Sequence, residues 1–129
     1  MRVAVVGSRG FSDYDLLSKT LAPLEITQIV SGGAIGADIL GARYANENNI
    51  PLLEFIPVWY KNGVYDNSAG FKRNKDIVNA SDIVYAFWGG VSKGTKSTID
   101  FAKKIGVKSV VILYQKQLTE EGTDLWKIL

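Results

Sequence analysis

Five short runs of β-branched and aromatic residues, each separated from the next by a helical pattern, constrain this chain most. They read "RVAVVG", "ITQIVSGG", "PLLEFIPV", "DIVYAFW" and "VKSVVILY". Such runs are typical of strands buried on both faces of a parallel sheet. Between them lie patterns of period 3.6. "DYDLLSKTLAPL" sets Leu16, Leu17, Leu21 and Leu24 at helical spacing, with Asp13 as N-cap and Pro23 marking the end. "GADILGARYANENN" reads as a helix with Ile39, Leu40, Ala42 and Tyr44 as packing candidates. "KRNKDIVNAS" and "TKSTIDFAKKIG" read as two more. Alternation with short connections predicts an α/β fold. We expect one Rossmann-like three-layer α/β/α sandwich over residues 1–129, with a five-stranded parallel sheet in the order 3-2-1-4-5. Residues 59–71 read as one long irregular loop. The tail "TEEGTDLWKIL" reads as a short closing helix, with Leu125, Trp126 and Leu129 packed back on the body.

The composition narrows the chemistry. There are no cysteines and no histidines. Disulfides, thiolate nucleophiles and Cys-ligated metal sites are therefore excluded, as are the commonest general base and the commonest metal ligand. Carboxylates, hydroxyls, Arg, Lys and backbone N–H groups must do whatever is done. No metal site and no required cofactor are expected. Fifteen basic and 13 acidic residues give a formal net charge of +2, which does not announce a nucleic-acid partner. The apolar run at the start is too short for a signal peptide or a membrane span, so the expectation is a soluble, cytoplasmic protein with no membrane partner.

In an open parallel sheet the ligand sits beyond the carboxyl ends of the strands. Four unusual stretches fall there. "GSRG" offers Gly7, Ser8 and Arg9 after the first strand. "SGGAIGAD" offers Ser31, Gly32, Gly33, Ala34 and Gly36, with Asp38 in the first helical turn. Amides and the helix dipole at that start favour an anion, while Asp38 itself is expected to stabilise the dipole or fix the loop. The loop after the third strand brings Trp59 and, at the entrance of a helix, Arg73 and Asn74; the Arg73 guanidinium could fork onto a phosphate. "WGGVSKGTKST" brings Trp88, Gly89, Gly90, Ser92, Gly94, Thr95, Ser97 and Thr98. Gly89 and Gly94 have Walker A spacing, but Thr95 stands where the lysine belongs and the loop follows the fourth strand, not the first. It reads instead as a phosphate or ribose cradle of another kind.

Taken together, "VAVVGSRGFSDY", "IVSGGAIGAD", "AGFKRN", "SDIVYAFW" and "SKGTKSTIDFA" resemble the SLOG superfamily, and within it the YspA-type, cpYpsA-related family. The resemblance runs from about Val3 to about Leu113. It implies a domain that senses or processes nucleotide-derived ligands. Two relatives pull in different directions. The core of the DNA-processing protein DprA, which binds single-stranded DNA, has stretches similar to Val6–Arg9, Ser31–Asp38, Lys72–Asn74 and Lys93–Ile99. The Lonely Guy family, which cleaves the N-glycosidic bond of nucleoside monophosphates, carries PGG-x-GT-x-x-E. Here three residues separate Gly90 from Gly94, and Thr98 stands in place of the glutamate.

The expectation is therefore a protein that binds a nucleotide or nucleotide-derived small molecule at the carboxyl edge. Its phosphate would lie against the "SGGAIGAD" and "SKGTKST" helix starts. Arg9 and Arg73 would add charge, and Trp59 or Trp88 would stack the base. No catalytic residue is assigned. The alternatives are a glycosidic-bond hydrolase using Asp38 or Asp100, and single-stranded DNA binding through Arg9, Lys72, Arg73, Lys75, Lys93 and Lys96. Three tryptophans and an apolar tail leave room for a homo-oligomer.

Overall fold

The computed structural model describes residues 1–118 and 124–128. In chain order the elements are β1 (Arg2–Gly7), α1 (Tyr14–Leu21), β2 (Gln28–Ser31), α2 (Ala37–Glu47), β3 (Leu52–Glu54), β4 (Tyr60–Lys61), β5 (Val64–Tyr65), α3 (Ala69–Asn79), β6 (Ile83–Trp88), α4 (Lys93–Ile105), β7 (Lys108–Leu118) and β8 (Asp124–Ile128). Five strands run parallel in the order β3-β2-β1-β6-β7. The α/β class and the parallel five-stranded sheet are as expected. The numbering departs from 3-2-1-4-5 because two unforeseen strands, β4 and β5, intervene in the chain, and a sixth strand, β8, joins the sheet antiparallel to β7.

The strand alternation divides the core. Val3 and Val5 of β1 pack with Leu17, Leu21, Ala37 and Tyr44 of α1 and α2. Ala4 and Val6, pointing the other way, pack with Ile77, Val78, Ile99 and Ala102 of α3 and α4. Side chains of a strand alternate between faces, so burial of all four of these β1 residues requires a helical layer on each side. That is the three-layer sandwich.

Local signals set the helix limits. Asp13 caps α1, its carboxylate accepting from the Leu16 N–H at 3.0 Å, and the helix stops at Leu21, two residues before Pro23. In α2 Tyr44 is buried, but Ile39, expected to pack, is exposed. Residues 59–71 are more ordered than expected: Tyr60–Lys61 and Val64–Tyr65 pair as a hairpin. Asn62 and Gly63 turn it with φ of 52° and 78°, the double positive φ that two-residue hairpin loops demand and Asn-Gly supplies.

The tail corrects another expectation. Asp124–Ile128 is a strand and not a helix, paired from Tyr114↔Ile128 to Leu118↔Asp124. β7 runs four residues past the expected end at Tyr114, and its backbone groups there need partners. The returning chain supplies them. Leu129 and the placement of the Leu125 and Trp126 side chains lie outside what the structure describes.

Candidate ligand-binding site

The chain runs outward through β1, β2 and β3 on one side, then crosses to β6 and β7 on the other. β1 and β6 are adjacent and parallel, so the strand order reverses between their carboxyl ends, where open α/β sheets hold ligands. A cavity of about 700 Å³ opens there.

Ser8 ties its floor together. The Ser8 N–H donates to the Phe87 carbonyl at 3.0 Å, and its hydroxyl accepts from the Gly89 N–H at 3.2 Å. The Ser8 hydroxyl also interacts with the buried Tyr114 phenol. Burial raises the pKa of that phenol, and the Ser8 interaction opposes the rise. The Ser8 carbonyl accepts from the N–H of Phe11 and of Ala37, at 3.1 and 3.4 Å.

Asp38 organises the turn into α2. One carboxylate oxygen accepts from the N–H of Gly32 at 3.0 Å and of Ala34 at 3.4 Å, and the Ser31 hydroxyl donates to the Asp38 carbonyl at 3.3 Å. The side chain is buried, and that burial pushes its pKa up to about 6 against the pull of the Arg73 charge and the two amides. The loop-fixing role foreseen for Asp38 is thus what the geometry displays.

Arg73 projects from α3. Its Nη1 donates to the Gly32 carbonyl at 2.7 Å and its Nε to Asn74 Oδ1 at 3.0 Å. Half-burial lowers its pKa, the Asp38 charge raises it and the Arg9 charge lowers it further. Guanidinium has five N–H donors, and these two bonds leave three for a ligand. Asn74 in turn donates to the Gly94 carbonyl at 3.3 Å, which also accepts the Thr98 hydroxyl at 3.1 Å. The middle of α3 is thereby fixed to the start of α4. The helix begins at Ala69, so Arg73 and Asn74 lie within it and not at its entrance as expected.

The first turn of α4 is capped by Ser92, whose hydroxyl accepts from the Thr95 N–H at 3.4 Å and from the Thr95 hydroxyl at 3.1 Å. Among the described residues, the Lys93 and Gly94 N–H groups have no hydrogen-bond partner, and the turn carries no acidic residue.

Twelve of the residues singled out from sequence line the cavity: Gly7, Ser8, Arg9, Ala34, Asp38, Arg73, Asn74, Gly89, Ser92, Gly94, Thr95 and Thr98. The others do not. Ser31, Gly32, Gly33 and Gly36 shape the turn behind it. Gly36, at φ 88°, lies so close to the Ser8 and Arg9 carbonyls that a Cβ would stand 2.4 and 2.5 Å from their oxygens. Gly90 and Ser97 are outside the lining. Neither tryptophan is placed to stack a base in the cavity. Trp59 stacks on Tyr65 in the hairpin at 6.2 Å, and Trp88 donates its indole N–H to the Ser92 carbonyl at 3.1 Å. Asp100 is also outside, exposed and bonded to Lys96 at 2.7 Å. Sequence reasoning missed Val6, Gly10, Ile77, Val91 and Tyr114. Gly10 belongs to the quoted "GSRG" stretch, whereas Tyr114 enters from β7 with no turn signal beside it.

Fold and site together define a Rossmann-like α/β domain with a cavity at the switch point of its sheet. The sequence profile of the YspA, cpYpsA-related SLOG family matches residues 1–61, in line with the resemblance carried by the motifs; "GSRG" and "SGGAIGAD" lie within that span, and "AGFKRN" and "SKGTKST" beyond it. No curated protein matches the chain. Among solved structures, DNA processing protein A from Streptococcus pneumoniae superposes with a TM-score of 0.72 at 23% identity, covering 86% of this chain and 50% of that one. DNA processing protein A from Helicobacter pylori, a protein that binds single-stranded DNA, gives 0.67 at 22% identity over 86% of this chain and 64% of that one. The chain therefore spans between half and two thirds of these proteins, and the likeness is one of fold. Among the described residues no helix is long and apolar enough to cross a membrane.

Proposed function

We propose that this protein binds a nucleotide or nucleotide-derived small molecule in the switch-point cavity, as a sensor or carrier. One observation supports the reading above the rest: the unpartnered amide of Gly94, which lines the cavity at the start of a 13-residue helix, with Arg73 lining the same cavity. Backbone donors, a helix dipole and a planar cation together suit a phosphate. The Ser92 and Thr95 hydroxyls offer partners to a ribose, and Val6, Ile77 and Val91 give apolar wall to a base.

Calorimetric titration with nucleoside mono- and diphosphates tests this. Arg73→Ala should weaken binding ten- to hundredfold, the loss of a charge-assisted pair worth about 1.5–3 kcal/mol. Arg73→Lys should recover only part, because an ammonium lacks the fork. An unchanged affinity in Arg73→Ala would overturn the assignment.

A second reading has its own support. Asp38 is the one carboxylate among the cavity's lining residues, and its pKa near 6 suits proton transfer. Against it, one of its oxygens already serves two amides, and Thr98, standing where a hydrolase glutamate would be, gives its hydroxyl to Gly94. Free base appearing in the incubated mixture, and abolished in Asp38→Asn, would establish the hydrolase. The DNA reading draws on the fold likeness and on the motif stretches similar to those of DprA. Of its six basic candidates, Lys72 and Lys96 are already bonded to Asp66 and Asp100. Tight binding of a single-stranded oligonucleotide that survives high salt would favour that reading.

A further inference from the structure

The hairpin carries an apolar surface that the cavity does not use. Ile56, Val58, Trp59, Tyr60, Val64 and Tyr65 are each between 40% and 68% exposed. The three aromatics are contiguous: Tyr60 pairs with Tyr65 across the hairpin, and the Trp59 and Tyr60 rings lie 6.2 and 5.3 Å from that of Tyr65. Ile56 and Val58 line the groove beside them, and Val64 pairs with Lys61 on the other face. At roughly 150–250 Å² for a large side chain, the three aromatics with Ile56 and Val58 offer on the order of 600 Å². That is the upper end of the roughly 300–600 Å² of a typical monomer's largest patch and near the roughly 800 Å² per partner of a standard protein interface.

Beside it runs a groove of about 400 Å³, with Ile56, Pro57 and Val58 for apolar wall. Its charges alternate in sign. Lys72 is bonded to Asp66. Lys61 and Asp76 also line the groove, and among the described residues neither has an ion-pair partner.

We infer that the β4–β5 hairpin and this groove form a self-association surface whose occupant is a second copy of this chain. A two-fold interface must be self-complementary. A surface with one protruding apolar element, one apolar groove and unpaired charges of both signs, Lys61 and Arg73 against Asp76, meets that condition. The hairpin of each copy enters the groove of the other, and Lys61 of each faces Asp76 of its mate. A nucleic-acid strand fits less well: Lys61 and Arg73 would attract its phosphates, but Asp76 stands unpaired beside them and Lys72 is already taken by Asp66. Trp and Tyr at the centre of the patch are the residues that dominate association energies.

Sedimentation velocity across the micromolar range tests the assignment. The wild type should dimerise, and Tyr60→Asp and Val64→Asp should each raise the dimer Kd at least tenfold. Both side chains are exposed, so circular dichroism should be unchanged; Val64→Thr, nearly isosteric, is the control if either aspartate variant fails to fold, and should weaken the dimer severalfold. Lys61→Asp and Asp76→Lys should each weaken association and together restore it. A wild type monomeric throughout overturns the inference. So does a dimer indifferent to both aspartate variants. A monomer that binds a single-stranded oligonucleotide through these same residues overturns it in favour of a nucleic-acid surface.

Discussion

The turn that enters α2 and the turn that enters α4 look alike in sequence. "SGGAIGAD" and "GGVSKGTKS" are both rich in glycine and hydroxyls, and both lead from the carboxyl end of a strand into a helix. They differ in what has happened to their amides. In the first, the Gly32 and Ala34 N–H groups bind the Asp38 carboxylate and the Ala37 N–H binds the Ser8 carbonyl. The chain has supplied its own anion, placed in the first turn where it offsets the helix dipole. In the second, Ser92 satisfies one amide, two stay open among the described residues and the first turn carries no acidic residue. The α2 turn thus holds its own carboxylate against its loop amides. Among the described residues, the Asp38 and Ile39 N–H groups of its first turn are as unpartnered as those of Lys93 and Gly94. The distinction of the α4 turn is that its first turn carries no acidic residue.

The difference can be broken at three points. Gly36→Ala should have the largest effect, destabilising the protein by about 2–5 kcal/mol in urea unfolding, since it combines a disfavoured positive φ with overpacking. The added methyl would meet the Ser8 and Arg9 carbonyl oxygens, with no flexible side chain to give way. A silent Gly36→Ala would mean that the α2 turn is not closed as described.

Asp38→Asn comes next and is read through pH. The folded-state pKa near 6 lies above the ordinary 3.8, so folding favours the neutral acid. That contribution is fully present below pH 3.8 and lost as the pH rises through 6. The wild type should therefore lose about 2 kcal/mol of stability relative to Asp38→Asn between pH 4 and pH 7. Urea melts of both proteins at several pH values measure it, with other titrations common to the two cancelling. A constant difference would show that Arg73 and the amides keep the carboxylate ionised throughout.

Gly94→Ala should have the smallest effect, and of opposite sign. A Cβ there meets nothing within 4 Å, and alanine favours the helix by about 0.5–1 kcal/mol. The same methyl would narrow the cavity, so a gain in melting temperature with a loss of nucleotide affinity is the expected signature of an open turn.

Much of this arrangement was legible because it rests on local pattern. The strand runs and helical periods place β1, β2, β6 and β7 and all four helices within a few residues. Carboxyl-end reasoning then collects Ser8, Arg73, Ser92 and Thr95 at one cavity. What escaped depends on distance. Tyr114 reaches the site only because β7 packs beside β6. β8 forms only because β7 offers it an edge. Ile39 follows the helical period yet faces solvent, since a period identifies a face and not what covers it. The hairpin was signalled by Asn62–Gly63, but strands of two residues are too short to show alternation. The tryptophans were misplaced for a related reason: composition proposes an aromatic stack, whereas the hairpin and the indole bond to Ser92 decide where the rings go.

Gly32 has no need of glycine on its own account, as its φ is not among the positive ones. It is small because the space where a Cβ would stand is already taken: the Arg73 Nη1 would lie 2.5 Å away and the Asp38 carboxylate 2.8 Å. Position 32 is thus an address at which two distant residues are parked. Any larger side chain there would evict the guanidinium without touching residue 73, and a loss of function inherited at one site would have its cause written at another. Natural variation at 32, 38 and 73 has to be read as a single word of three letters.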